Sequence, residues 1–181
     1  MKKMLGWMLG ALMVACAAPG PRTTIVSQEK LQSLLAARFP YTGKIGPLFE
    51  LQAQAPQLRL LPAQNRLGTE IQVQVTERLS RAVFQGVLDV DYRVQFEPRD
   101  QTLRMADVHV NRFYFTGVPE RYQAVVQGLA PQLAERLLDG IPLHQISAKD
   151  MAVVNGWGYV PGGIDVTTEG LRFTLHPTQS P

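Results

Sequence analysis

Cysteine occurs once in the 181 residues, at Cys16. No internal disulfide can therefore form in any redox compartment, and no Cys-x-x-Cys pair is available for redox chemistry or metal binding. Histidines are as sparse. His109, His144 and His176 fall in different predicted elements and share no ligand spacing with a cysteine or carboxylate. The sequence has no H-E-x-x-H, no Gly-rich loop followed by Lys-Ser or Lys-Thr, and no G-x-S-x-G nucleophile elbow. The expectation is a chain without metal, without cofactor and without enzymatic activity. Low-complexity runs and internal repeats of useful period are also missing.

Long hydrophobic runs are lacking too. Lys2 and Lys3 precede the uncharged stretch MLGWMLGALMVA, about a dozen residues where a spanning helix needs roughly 20. A short positive region followed by a short apolar one reads as a signal peptide over residues 1–15. The stretch ends in LMVACAAPG, with Ala15 before the cysteine and Ala17 and Ala18 after it. This resembles the lipobox of bacterial lipoproteins, in which the thiol is acylated and the chain is cut just before the cysteine; Met13 stands where leucine is usual. The resemblance implies lipidation at Cys16 and membrane attachment through it. With two or three fatty chains that attachment would be permanent, since a single chain holds a protein only reversibly. Ala17 in place of an aspartate implies, by the usual sorting rule, the outer membrane, with the domain facing the periplasm. The competing reading is an ordinary secretory signal with Cys16 incidental.

Processing also dissolves most of the basic balance, because Lys2 and Lys3 supply two of the formal +3 charges. Nothing then argues for a nucleic-acid partner or a polybasic membrane patch. What remains is one domain's worth of chain, large enough to bury a core without staples. Residues 16–24 read as a lipidated Pro/Gly/Thr tether and 25–181 as a single domain.

Ser27 is a good N-cap, and Leu31, Leu34, Leu35 and Phe39 follow at helical spacing, with Pro40 and Gly43 ending the helix. From about Gly46 to Phe115 the period changes to two. Phe84, Leu88, Val90, Tyr92, Val94 and Phe96 alternate with Gln85, Asp89, Asp91, Arg93 and Gln95. Such alternation predicts an antiparallel strand with one dry and one wet face. Its length and the interior Gly86 predict a sheet that bends sharply. Leu103 and Met105, then Val108 and Val110, switch phase without a turn, which predicts a β-bulge near Ala106–Asp107. A second helix is predicted over 119–139, with Tyr122, Val125, Val126, Leu129, Leu133 and Leu137 as its stripe. Pro131 inside it predicts a kink that follows the curved sheet, or else a break into two helices. A short helix near 147–154 and a hairpin around Thr168–Gly170 close the chain. The fold class is α+β: a highly curved antiparallel sheet wrapping a long kinked helix, with an N-terminal helix and a closing β-hairpin.

The order of these elements, the helix segment VVQGLAPQLAERL and the ending GIDVTTEGLRFTL resemble the YceB-like periplasmic lipoproteins. The fold of that family is similar to a small version of the tubular lipid-binding (TULIP) superfamily. The resemblance implies a long helix lying in a curved sheet, with an apolar groove between them for a lipid tail or similar apolar molecule.

The expected groove lining is Phe84, Leu88, Val90, Tyr92, Val94, Phe96, Val126, Leu129 and Leu133. Plain core packing of the same face is the competing reading, since a single sheet with one helix must bury that face anyway. Trp157 and Tyr159, in a Gly-rich stretch, gate the groove or rest near headgroups on one reading and cap the sheet on the other. Asp89 and Asp91 read as solvated surface charge, and His109 as a surface or half-buried strand residue. The expected function is a membrane-anchored periplasmic protein that binds an apolar ligand. The alternative is an interaction protein with a solid core that docks on an envelope partner. An envelope hydrolase would need His109 or His144 beside a carboxylate in a cleft.

Overall fold

The computed structural model describes residues 20–178, apart from the side chains of Arg121, Tyr122 and Val125. The signal peptide, Cys16 and the first tether residues lie outside this range, as do the Tyr122 and Val125 side chains of the expected stripe. The elements run β1 (Arg22–Ser27), α1 (Gln28–Ala36), β2 (Tyr41–Ile45), β3 (Phe49–Ala53), β4 (Gln57–Leu61), β5 (Arg66–Glu77), β6 (Val83–Glu97) and β7 (Thr102–Thr116). They continue with α2 (Glu120–Gly128), α3 (Ala130–Leu138), β8 (Pro142–Gln145), α4 (Ala148–Gly156), β9 (Tyr159–Val166) and β10 (Gly170–Pro177). The class is α+β, with a strongly curled antiparallel sheet and, among the described residues, four α-helices.

The large sheet runs β2-β3-β5-β6-β7-β8, and β4 joins it beside β5. One edge of the long β5 has two partners in succession: β4 along Arg66–Glu70 and β3 along Val73–Glu77. Two bulges in β7 add curl. The expected one leaves Asp107 at φ 53°. A second, opposite the Asp89–Val90 step, inserts Asn111 and switches the phase again to Phe113 and Phe115. Each extra residue bends its strand and increases the local twist.

The closing hairpin, β9–β10, does not join the large sheet as the expectation of one sheet required. It pairs with β1 in a separate three-stranded sheet, β1-β10-β9. Consequently Arg22–Thr24, read as tether from composition, are strand residues paired with Leu175, Thr174 and Phe173. The run Thr23, Thr24, Ile25, Val26 is β-branched throughout, which suits a strand better than a linker. At Ser27 the chain turns into α1, the Ser27 hydroxyl accepting from Lys30 N–H. That helix ends at Ala36, earlier than Pro40, and Gly43 lies within β2.

The expected long kinked helix is instead two nine-residue helices, α2 and α3, parted at Leu129. The cause is Pro131, which has no N–H to give the Gln127 carbonyl and whose ring clashes there. The break places Pro131 in the first turn of α3, where a missing donor costs nothing. The α3 helix lies against β7 past the short β8, and Glu135 Oε1 accepts the Val110 N–H at 2.9 Å beside the second bulge. Leu129, Leu133 and Leu137 are 63%, 57% and 65% exposed, so the expected stripe is not the buried one.

The core forms where the two sheets meet. Val90, Tyr92 and Val94 of β6, with Leu58, Leu67, Met105 and Val108, pack against Val166 and Leu171 of the small sheet. Leu31 and Leu35 of α1 close one flank. The buried Tyr92 hydroxyl is paired with Thr69 Oγ1 at 3.0 Å, and burial raises its pKa above the usual phenol range despite that bond.

The position of Pro131 makes a test. In a helix interior, Pro131→Ala would stabilise the protein by roughly 3 kcal/mol. In the first turn of α3 the change should stay within about 1 kcal/mol, read as an almost unmoved urea midpoint.

Candidate functional site

The inner face of the curled sheet is a ladder of apolar rows. Cross-strand register aligns Leu51–Val75–Phe84, then Ala53–Val73–Gly86–Phe115, then Ile71–Leu88–Phe113, then Leu58–Thr69–Val90–Val110, and lastly Leu60–Leu67–Tyr92. The small sheet and α1 cover only the Val90 and Tyr92 end, where both residues are 1% exposed. Toward the other end Leu51, Ile71, Val73, Val75, Phe84, Leu88, Phe113 and Phe115 are all half-buried. The trough is solid at one end and open at the other.

Gly86 shapes the open end. A Cβ there would lie 2.4 Å from the Tyr114 carbonyl oxygen and 2.7 Å from the Phe115 ring. Only glycine lets Phe115 lie across β6, where it meets Phe113 with ring centroids 5.1 Å apart and planes tilted by 50°, a favoured aromatic geometry. Beside these rings a cleft of about 420 Å³ runs between β7 and α2, lined by Phe113, Phe115, Val118, Gln123 and Val126 among others. That volume is within the range of small-molecule sites, roughly 300–1,000 Å³.

The sequence-derived lining residues separate into five groups. Phe84 and Leu88 stand in the open rows and Val126 in the adjoining cleft. Val90, Tyr92 and Val94 belong to the packed core. Phe96 lines a separate apolar cleft of about 150 Å³ against α4 and the small sheet. Leu129, Leu133 and Trp157 face solvent, while Tyr159 is buried and donates its hydroxyl hydrogen to the Gly20 carbonyl at 3.2 Å. Sequence reasoning missed Phe113 and Phe115. Their alternation in NRFYFT is visible, but the Asn111 bulge hides which face they share.

The outer face carries a charged belt across the same strands. Asp89 and Asp91, expected as solvated charges, are only 6% and 8% exposed. Arginines lie over them. Gly68, the register partner of Arg59 on one side and of Asp91 on the other, leaves room for the Arg59 side chain to cross β5 diagonally, and Arg59 Nη2 donates to Asp89 Oδ1 at 2.5 Å. Arg66 binds Asp91 and also Asp107 of the first bulge, at 2.7 Å to Asp107 Oδ2. Asn111 of the second bulge donates to Asp91 at 2.7 Å, and Arg112 bridges to Glu70 at 2.7 Å. Burial works against the Arg66 charge, but the hydrogen bonds it donates to Asp107 and Asp91, with their negative charges, outweigh it and hold its pKa above the usual value. His109 is the register partner of Asp91 and is exposed, and His144 lies exposed on β8. With Arg66 and Asn111 on Asp91 and Arg59 on Asp89, the belt is a clamp on the bulged strand. Among the described residues every buried side-chain nitrogen or oxygen has a hydrogen-bond partner, and no three of His, Cys, Asp and Glu gather as a metal site.

No family model matches the chain, and comparison with curated proteins finds no match.

The clamp generates two tests. Replacing one member of a buried pair strands the other charge, so Arg66→Met should destabilise the protein by about 3 kcal/mol in urea unfolding. The second test is a titration. The hydrogen bond from Arg66, then its charge, hold the Asp107 carboxyl below its usual value. A carboxyl depressed in the folded state contributes stability that is complete above its unfolded pKa of about 3.9 and fades as pH falls through the lower folded value. NMR of the Asp107 carboxyl carbon should show titration below the usual range in the native protein and a return toward it in Arg66→Met.

Proposed function

We propose that the protein is an envelope lipoprotein, held by lipid on Cys16, that binds an acyl chain or a similar apolar molecule in the open half of its curled sheet. One observation carries this reading: the small sheet and α1 cover the apolar face around Val90 and Tyr92, while the large side chains of the rows from Phe84 to Leu88 stay only half-buried around the buried Ala53 and Gly86. A face that existed only to make a core would be covered along its whole length, since apolar surface left in water forfeits about 25 cal/mol per Å². The cleft of about 420 Å³ beside Phe113, Phe115 and Val126 extends the same surface under α2. The resemblance to YceB-like lipoproteins and to the tubular lipid-binding superfamily points the same way. The finer part of that resemblance, a sheet wrapping one long helix, takes a modified form here. The ligand would lie against the sheet floor and α2, while α3 guards the edge of β7.

The rival reading, a solid-cored protein docking on an envelope partner, draws on the exposed Leu129, Leu133 and Leu137 of α3. The two differ in what the trough does.

Native mass spectrometry of the chain purified without its anchor should show a co-purified lipid. Val73→Gln, in the middle of the open rows and away from the packed core, should weaken binding of a fluorescent fatty acid about tenfold. That corresponds to roughly 1.4 kcal/mol, about what burying one such side chain contributes. A chain that carries no lipid and ignores the fatty acid would sink the proposal.

A further inference from the structure

The chain reaches Cys16 from one particular end of the fold, and the surface there has the chemistry of a membrane seat. Gly20 is fixed in place by the Tyr159 hydroxyl at 3.2 Å. Four peptide steps separate it from Cys16, and an extended chain covers at most about 3.6 Å per step, so Cys16 stays within about 15 Å of this point. A lipid on that residue brings the surrounding surface against the bilayer whatever path the short tether takes.

Three features of that surface are built for contact with lipid. Trp157 ends α4 and is 62% exposed; Val153, one helical turn earlier, is 42% exposed, and Val160 at the start of β9 is 39% exposed. Residues four apart share a helix face, so Val153 and Trp157 project together. The opposite face of α4 is already occupied, with Met151 8% exposed and Val154 beside it lining the small apolar cleft. The outward pair therefore has no partner within the described residues. Second, the Arg22 guanidinium lies 5.0 Å over the Tyr159 ring. It is exposed there and placed to meet a phosphate with charge-assisted hydrogen bonds. Third, carboxylates are sparse there: none occurs among residues 20–26, 151–164 or 173–178, although the chain has 15 of them, and the nearest on α4 is the exposed Asp150, one turn before Val153 and bonded to the Ser147 hydroxyl at 2.6 Å. An end with one fixed cation, a tryptophan, two exposed valines and its nearest α4 carboxylate, Asp150, two helical turns back from Trp157 suits an anionic headgroup layer, where indole rings settle by preference.

We infer that this end of the molecule, Trp157 with Val153, Val160 and Arg22, rests in the headgroup region of the membrane that holds Cys16, fixing the orientation of the domain. The inference rests on the proposed anchor and adds to it a defined face.

The sequence supplies its own reporter. Cys16 is the only cysteine, and Trp157 is the only tryptophan after residue 7. The chain from residue 16 can be coupled through that thiol to maleimide-bearing vesicles of phosphatidylcholine and phosphatidylglycerol. On coupling, Trp157 emission should shift to the blue and be quenched when the vesicles carry brominated acyl chains. As a control, Leu79→Trp in a Trp157→Phe background moves the reporter to the exposed β5–β6 turn. That turn lies about 40 Å of strand away from the Phe96 end of β6, and its tryptophan should remain unquenched. Coupled protein whose Trp157 stays red-emitting and unquenched, or whose two reporters are quenched alike, would overturn the seat. The mass of Cys16 in protein extracted from its own envelope separates the two ideas. An acylated Cys16 with an unquenched Trp157 removes the seat alone, whereas a bare Cys16 removes the anchor and the seat with it.

Discussion

The seating of the small β1-β10-β9 sheet on Val90, Tyr92 and Val94 is the contact on which the rest of this fold depends. It unites strands from both ends of the described residues, since β1 begins at Arg22 and β10 ends at Pro177. It buries the largest side chain of the core, Tyr92, and requires Thr69 to answer its hydroxyl in an otherwise apolar setting. A buried hydroxyl without a partner would cost about 1–3 kcal/mol. Because this contact covers only one end of the inner face, it also determines where the trough stays open. Core and candidate site are two ends of one surface.

Curling the sheet that far has a cost in hydrogen bonding, and the charged belt on the outer face offsets it. Two bulges interrupt β7 within a few residues of each other, at Asp107 and Asn111. Both residues are tied back to Asp91, Asn111 directly and Asp107 through Arg66. Where the second bulge leaves the Val110 N–H pointing away from β6, Glu135 of α3 accepts it. The same bulges turn Phe113 and Phe115 inward. Side chains that look like surface charge in the sequence therefore hold the aromatic floor of the trough in shape from the opposite side of the sheet.

Much of this was legible in the sequence, and the limits have physical causes. Period-two alternation from Phe84 to Phe96 identified β6 and its dry face, and the phase switch after Met105 located the Asp107 bulge. Ser27 marked the start of α1, and the glycine-bearing turn before Leu171 marked the last hairpin. Alternation reports which side chains share a face, though, and not how much of that face is covered. Val90 and Phe84 look equivalent in sequence yet differ in burial, because the cover comes from β9 and β10, more than sixty residues away. The same reason hid the pairing of Asp89 with Arg59, which arrives from β4 across β5, and of Asp91 with Arg66 of the neighbouring β5. At Pro131 both outcomes were open, because a proline within an apolar stripe either kinks or divides a helix according to the surface it meets. Here α3 meets the edge of β7, and the straight continuation toward α2 is lost.

The two ends of the sheet then acquire different duties. The Phe96 end of β6 adjoins the small sheet that begins at Arg22, and the Phe84 end carries the open apolar rows. Twelve residues of strand separate them, about 40 Å of contour. If the tethered end rests on the bilayer, the trough opens away from it, toward the aqueous compartment. A site placed there would be poorly located to draw lipid directly out of the membrane proposed to anchor it. It is better placed to receive an apolar molecule from, or pass it to, something standing off that membrane, with α2 as the nearest covering element. On the proposed geometry a lipid on Cys16 would do more than keep the domain close to a membrane: it would aim the open end of the trough away from it.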